Sequence, residues 1–137
     1  MRFLKTAMIA GASVLAASSA FADGHETETP TTAIVTFALP DGMTELQARD
    51  LFMGSVETFA EMPGLIRKYY LYDEAGPVGG GVYLWESRSA AEALYTPAWR
   101  EGLAERLGAM PQVQYFTSPV IVDNVTDEVW SAPDAHD

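Results

Sequence analysis

Two apolar runs joined by a short turn constrain this chain more than any other feature. Leu65 to Tyr72, LIRKYYLY, and Gly79 to Glu86, GGGVYLWE, flank Asp73-Glu74-Ala75-Gly76-Pro77. Both runs are rich in aromatic and branched residues, and the first is too short to be a helix between its breakers, so the pair reads as a β-hairpin. Val82, Tyr83, Leu84 and Trp85 are apolar on both faces of the second strand. An antiparallel sheet with one face in water would instead alternate apolar with polar, so this sheet must be covered on both sides. The glycines of GPVGGG invite comparison with a phosphate cradle. Such a loop has to follow a strand and open a helix, whose first N–H groups hold the anion. Here the glycines lead into a strand, and nucleotide binding is not expected.

The remaining elements follow from periodicity and punctuation. Ala33 to Leu39, AIVTFAL, alternates as a strand and stops at Pro40-Asp41-Gly42. Thr44 with Gln47 has capping-box spacing and opens a helix predicted to run to about Glu61, where Met62-Pro63-Gly64 ends it. A second helix is expected after Ser87, with Ser89 and Glu92 in capping-box spacing. Thr96-Pro97 interrupts it, and a restart runs to Gly108. A fourth strand is expected over Val113 to Val122, with Pro119 marking an edge or a bulge. The order β-α-β-β-α-β is the ferredoxin-like α+β arrangement, a four-stranded antiparallel sheet with both helices on one face. The bare second face predicts a homodimer packed sheet against sheet.

The chain has 137 residues. Met1 to Lys5 is basic, Ala7 to Ala17 is small and apolar, and Ala20-Phe21-Ala22 has the pattern that a signal peptidase cuts after, so residues 1–22 read as a cleaved export signal with Asp23 as mature start. The apolar run falls short of the ~20 residues of a membrane span. The expected location is periplasmic or secreted, with no membrane association after cleavage. Residues 23–31 read as a disordered leader, 32–124 as the folded domain and 125–137 as an acidic tail with Val129 and Trp130 as docking anchors. Without the signal, six basic residues face nineteen acidic ones, a net charge of −13, which argues against nucleic acid as a partner. The absence of cysteine rules out disulfides and thiolate chemistry. The two histidines, His25 and His136, fall in the leader and the tail.

MPGLIRKYYLYDE, GGVYLWESRSAAEAL and RLGAMPQVQYF resemble the YdhR-like monooxygenases of the dimeric α+β barrel superfamily, the antibiotic-biosynthesis-monooxygenase group. The similarity runs from about Ala33 to Asn124. Its most specific pieces are Pro63-Gly64-Leu65-Ile66 with Lys68, and Gly80 to Leu84 with Glu86 and Ser87. The resemblance implies a ferredoxin-like dimer formed through the sheets and a monooxygenase activity. The superfamily spans cofactor-free quinone-forming oxygenases, haem degraders and chlorite-decomposing enzymes, so fold does not carry substrate.

With neither His nor Cys in the predicted domain, haem lacks its usual axial ligands and a first-row metal would have carboxylates only. The expectation is therefore no metal and no cofactor. Cofactor-free oxygenation needs a stabilised carbanion, a base and a dry apolar pocket. Lys68 and Tyr83 are the candidate catalytic residues, and Arg67, Tyr69, Trp85, Tyr95 and Trp99 the candidate substrate-binding residues. Arg67 and Lys68 point to opposite faces of their strand, and either can hold a phenolate or enolate. Either can equally pair with Glu86 across the hairpin. Tyr83 and Trp85 share a face and mark either the pocket or the dimer seam. A non-catalytic dimeric domain that binds a small apolar ligand, or serves structure alone, fits the same residues.

Overall fold

The computed structural model describes residues 28–134. The predicted export signal and the leader as far as residue 27 lie outside the described residues, as do both histidines. Strand β1 (Thr31–Ala38), helices α1 (Glu45–Met53) and α2 (Val56–Ala60), hairpin strands β2 (Leu65–Asp73) and β3 (Val78–Trp85), helices α3 (Arg88–Leu94) and α4 (Pro97–Leu107), and strand β4 (Gln112–Thr117) follow in order. A second hairpin, β5 (Val120–Asp123) and β6 (Glu128–Ser131), completes the chain. The four-stranded sheet has the order β2-β3-β1-β4 with antiparallel pairing throughout. This is the ferredoxin-like α+β fold.

Register sorts the side chains by face. Ala33 pairs with both Tyr83 and Tyr115, Lys68 with Tyr83, and Thr31 with Trp85. Ala33, Val35, Tyr83 and Trp85 are buried and join Ala91 of α3 and Tyr95 in the core beneath the helices. The opposite face carries Ile34, Val82 and Leu84, all half-buried, with Tyr69 and Phe116 exposed at the two sides. Leu65 and Arg67 pair with consecutive residues Trp85 and Leu84, so Ile66 is an extra residue that bends the start of β2.

Several local expectations change. The first helix breaks at Gly54-Ser55 into α1 and α2, although its Thr44–Gln47 capping box forms as expected. The cap of α3 is Ser87, whose hydroxyl accepts from the Ala90 N–H, rather than Ser89; Glu92 instead pairs with Arg88 at 2.8 Å. Thr96 caps α4 with Pro97 in its first turn, and Gly108 ends that helix in the left-handed conformation. The single strand expected over Val113 to Val122 is two strands separated at Ser118-Pro119. Pro119 has no N–H for the ladder, which is why pairing to β1 stops there. Part of the predicted acidic tail is strand β6, whose Trp130 pairs with Ile121 of β5. Val129, expected as an anchor, is exposed, while Trp130 is half-buried.

Candidate active site

The glycine run that leads into β3 makes room for the site. A Cβ on Gly81 would lie 3.0 Å from both Lys68 Cε and a ring carbon of Tyr83, and a Cβ on Gly80 would collide with the Val35 carbonyl. With hydrogen in those places the Lys68 stem lies flat on β3 beside the Tyr83 ring. Gly79 likewise admits Leu39, whose side-chain carbons come within 3.0 to 3.2 Å of the Cβ position.

Lys68 therefore ends among aromatic faces instead of in water. Its Nζ stands 3.4 Å from the centre of Phe59, 3.9 Å from that of Tyr70 and 4.5 Å from that of Tyr83. Among the described residues no carboxylate pairs with it. Burial of the ammonium pulls the Lys68 pKa down to about 7. The three ring faces attract only the charged form and oppose part of that shift. Near neutrality the amine thus exists in both forms, able to accept a proton and, once protonated, to hold an anion.

The amine opens into a cleft of about 340 Å³ between the sheet and helices α1, α2 and α4. Phe37, Phe52, Phe59, Trp99, Leu103 and Leu107 give it apolar walls, and Ser55, Lys68, Tyr70, Tyr83 and Arg106 supply polar groups. Among the described residues no Asp or Glu lines it. The Ser55 hydroxyl donates to the Phe52 carbonyl at 3.1 Å and lies 2.9 Å from the Tyr70 oxygen. Since serine has one proton to give, Tyr70 is the donor in that second contact. Tyr83 is 3 % exposed, and its hydroxyl has no hydrogen-bond partner among the described residues, yet no polar side-chain atom there is both sealed from solvent and unpartnered. The Tyr83 hydroxyl must therefore reach open space, and Tyr83 lines the cleft. Burial, with a smaller effect from Tyr70, raises its pKa, so it is a neutral donor.

Behind this front row, Tyr83 stacks on Trp85 with rings 6.0 Å apart, and Tyr95 meets both edge-on. The Trp85 indole N–H donates to the Tyr95 hydroxyl at 3.0 Å. Trp99 stands edge to face with Tyr95 at 5.2 Å and reaches the cleft wall. Trp85 and Tyr95 are thus core residues that support the wall and do not line the cleft, and Tyr83 and Trp85, buried under the helices, do not form a seam on the bare face.

Arg67 and Tyr69 lie on the other side of the sheet, so the seven candidates do not form one constellation. Arg67 pairs with Asp123 of β5 at 2.9 Å and donates to the Tyr69 hydroxyl at 3.2 Å, not to Glu86. That hydrogen bond from Arg67 to Tyr69 leads the causes that raise the guanidinium pKa, with Asp123 adding to it. Asp123 accepts from the Thr126 and Val125 N–H groups, which hold its pKa below the usual value with help from Arg67. These contacts dock the C-terminal hairpin over a second cleft of about 370 Å³, lined by Val82, Leu84, Ile121 and Trp130 among others. Ser55, Tyr70 and Arg106 are cleft residues outside the seven candidates. Tyr70 was visible as the neighbour two positions from Lys68, on the same strand face. Ser55 and Arg106 carry no sequence signal, because only the helix break and the docking of α4 bring them to the cleft.

No protein-family model and no curated protein matches this chain. Among solved structures it is similar to a monooxygenase from the gene ActVA-Orf6 of Streptomyces coelicolor, crystallised with nanaomycin D, at 25 % identity over 66 % of this chain and 88 % of that one, with a TM-score of 0.50. A conserved protein from Methanosarcina mazei Go1 matches at 10 % identity, 67 % and 95 % coverage and a TM-score of 0.50. SnoaB, a cofactor-independent oxygenase from Streptomyces nogalater, matches at 18 % identity, 66 % and 93 % coverage and a TM-score of 0.49. The likeness to the ActVA-Orf6 structure agrees with the α+β architecture and four-stranded antiparallel sheet of this chain.

Proposed function

We propose that the protein is a monooxygenase that oxidises a small aromatic or quinol-like molecule in the Lys68 cleft, without metal or flavin. The observation that carries this reading is an unpaired amine on three aromatic faces, beside an open tyrosine hydroxyl, in an acid-free apolar cleft. The likeness to the ActVA-Orf6 monooxygenase supports it. The resemblance of the motifs from Pro63 to Lys68 and from Gly80 to Ser87 to those of the YdhR-like group supports it as well. Lys68 as free amine takes a proton from an activated phenol or methylene, and the ammonium so formed holds the resulting anion while Tyr83 donates to its oxygen. The apolar walls leave that anion poorly solvated and therefore easily oxidised by dissolved oxygen. An aryl methylene and one O₂ give an aryl ketone and one water.

Export to the periplasm or beyond is part of the proposal, and the signal-like pattern of residues 1–22 is its support. Among the described residues no helix is long and apolar enough to cross a membrane. The homodimer is part of the same proposal. Phe116, Tyr69, Val120, Val122 and Val129 are exposed apolar groups on or beside the half-covered face, as a sheet-to-sheet interface requires. Oxygen uptake and product mass with a panel of anthrone-like and quinol substrates test the reaction. The expected product has gained one oxygen and lost two hydrogens, turnover survives chelation, and Lys68→Met lowers it by about 10²-fold or more. Tight retention of these molecules with no oxygen consumed would instead identify a binding domain.

A further inference from the structure

Lysine is nearly absent from this chain. Lys5 and Lys68 are the only two, so Lys68 is the sole lysine of the folded region, where surface lysines are ordinarily plentiful. That one lysine is turned inward, its Nζ framed by Phe59, Tyr70 and Tyr83 and open to the cleft. Among the described residues the charged and titratable side chains that face this cleft with Lys68 are Tyr70, Tyr83 and Arg106, and none is a carboxylate that would keep the amine protonated.

We propose that Lys68 is a nucleophile that captures aryl aldehydes as an imine. An amine without an ion-pair partner in an apolar setting is the arrangement that activates lysine towards carbonyl carbon. The flat walls fit an aromatic ring, and the Tyr83 hydroxyl, free of other partners, can donate to the carbonyl oxygen. The Nζ lone pair forms the C–N bond and the carbonyl electrons pass to oxygen. Both amine protons leave nitrogen, the C–O bond breaks, and the oxygen departs as water. No oxidant or reductant takes part, so this capacity does not depend on the oxygenase reading.

The pKa of about 7 adds a magnitude. At pH 7 roughly half of Lys68 is the free amine, against about one in 3000 for an ordinary lysine, an advantage on the order of 10³-fold from the neutral fraction. The test incubates the intact protein anaerobically at pH 7 with salicylaldehyde and an equal concentration of Nα-acetyl-lysine, then reduces with cyanoborohydride and maps the adduct by peptide mass spectrometry. Lys68 is expected to label at least 100-fold faster than the free amino acid, with a rate that rises through a midpoint near pH 7. Lys68→Met, checked for native circular dichroism, is expected to lose that label and keep only adducts at Lys5 or the α-amine. Labelling of Lys68 no faster than acetyl-lysine, or with a midpoint near pH 10, overturns the proposal even if the variant fails to fold. Oxygenation without adduct formation would refute this inference and leave the oxygenase reading standing; adduct formation without oxygenation would do the reverse.

Discussion

Replacing Lys68 by methionine should make the protein more stable at low pH and change little at high pH. Methionine keeps an unbranched stem of similar reach and removes the ammonium that the cleft has to desolvate. The sign follows from the depressed pKa. Between about 7 and 10.5 the unfolded chain carries the extra proton, so wild-type stability rises with pH across that window and is lowest below pH 7, where both states are charged. From pH 6 to pH 9 the window covers about two pKa units, at most ~2.7 kcal/mol at 1.36 kcal/mol per unit. Lys68 is only half-buried and its ammonium gains from three rings, which reduces the expected difference to ~1–2 kcal/mol. Urea titrations of both proteins at pH 6 and pH 9 measure it, and contributions from the tyrosines cancel in the comparison. A stability difference between variant and wild type that is the same at the two pH values would show that Lys68 is solvated and ordinary, which removes the basis for both roles assigned to it.

Three further outcomes follow from the same geometry. Gly81→Ala puts a methyl 3.0 Å from Lys68 Cε and from the Tyr83 ring, so it should cost ~1–3 kcal/mol in thermal or urea denaturation and push the Lys68 pKa towards its ordinary value; an unchanged urea midpoint would mean the stem is not wedged there. Trp99→Ala opens the cleft wall while leaving the Trp85–Tyr95 hydrogen bond in place, so substrate KM should rise about tenfold or more with native circular dichroism, and kinetics identical to wild type would remove Trp99 from the site. Sedimentation at micromolar concentration should give the mass of two chains and Phe116→Glu the mass of one, whereas a wild-type mass of one chain refutes the sheet-to-sheet dimer.

The fold was legible because strand and helix periods are local. Alternation in Ala33 to Leu39, aromatic runs on either side of one turn, and the Thr44 and Thr96 caps each specify their element without help from distant residues. The misreadings cluster where a local signal had two outcomes. Ser87 stands just before α3 and Ser89 is its second residue, and what decides between them as the cap is the extended backbone at Ser87 that aims its hydroxyl at the Ala90 N–H, which spacing does not reveal. Pro119 reads as an edge or a bulge within one strand, and the strand instead breaks there, β5 finding its partner in β6 downstream.

The site shows the same division between what is local and what is not. Arg67 and Lys68 are adjacent in sequence and both cationic, and strand geometry sends them to opposite faces. Which face becomes a cleft depends on where the helices land. Arg67 meets Asp123, 56 positions away, at the end of β5, whose hairpin partner β6 composition disguised as part of an acidic tail. Lys68 meets three rings from two strands and a helix and, among the described residues, no acid, in a chain with nineteen acidic residues. So acidic a protein has carboxylates available for almost any cation at its surface; withholding them from its one inward lysine requires the flat approach that hydrogen at Gly81 permits. The glycine run thus bears on chemistry after all, not by cradling a phosphate but by letting an amine lie against tyrosine without a counter-ion.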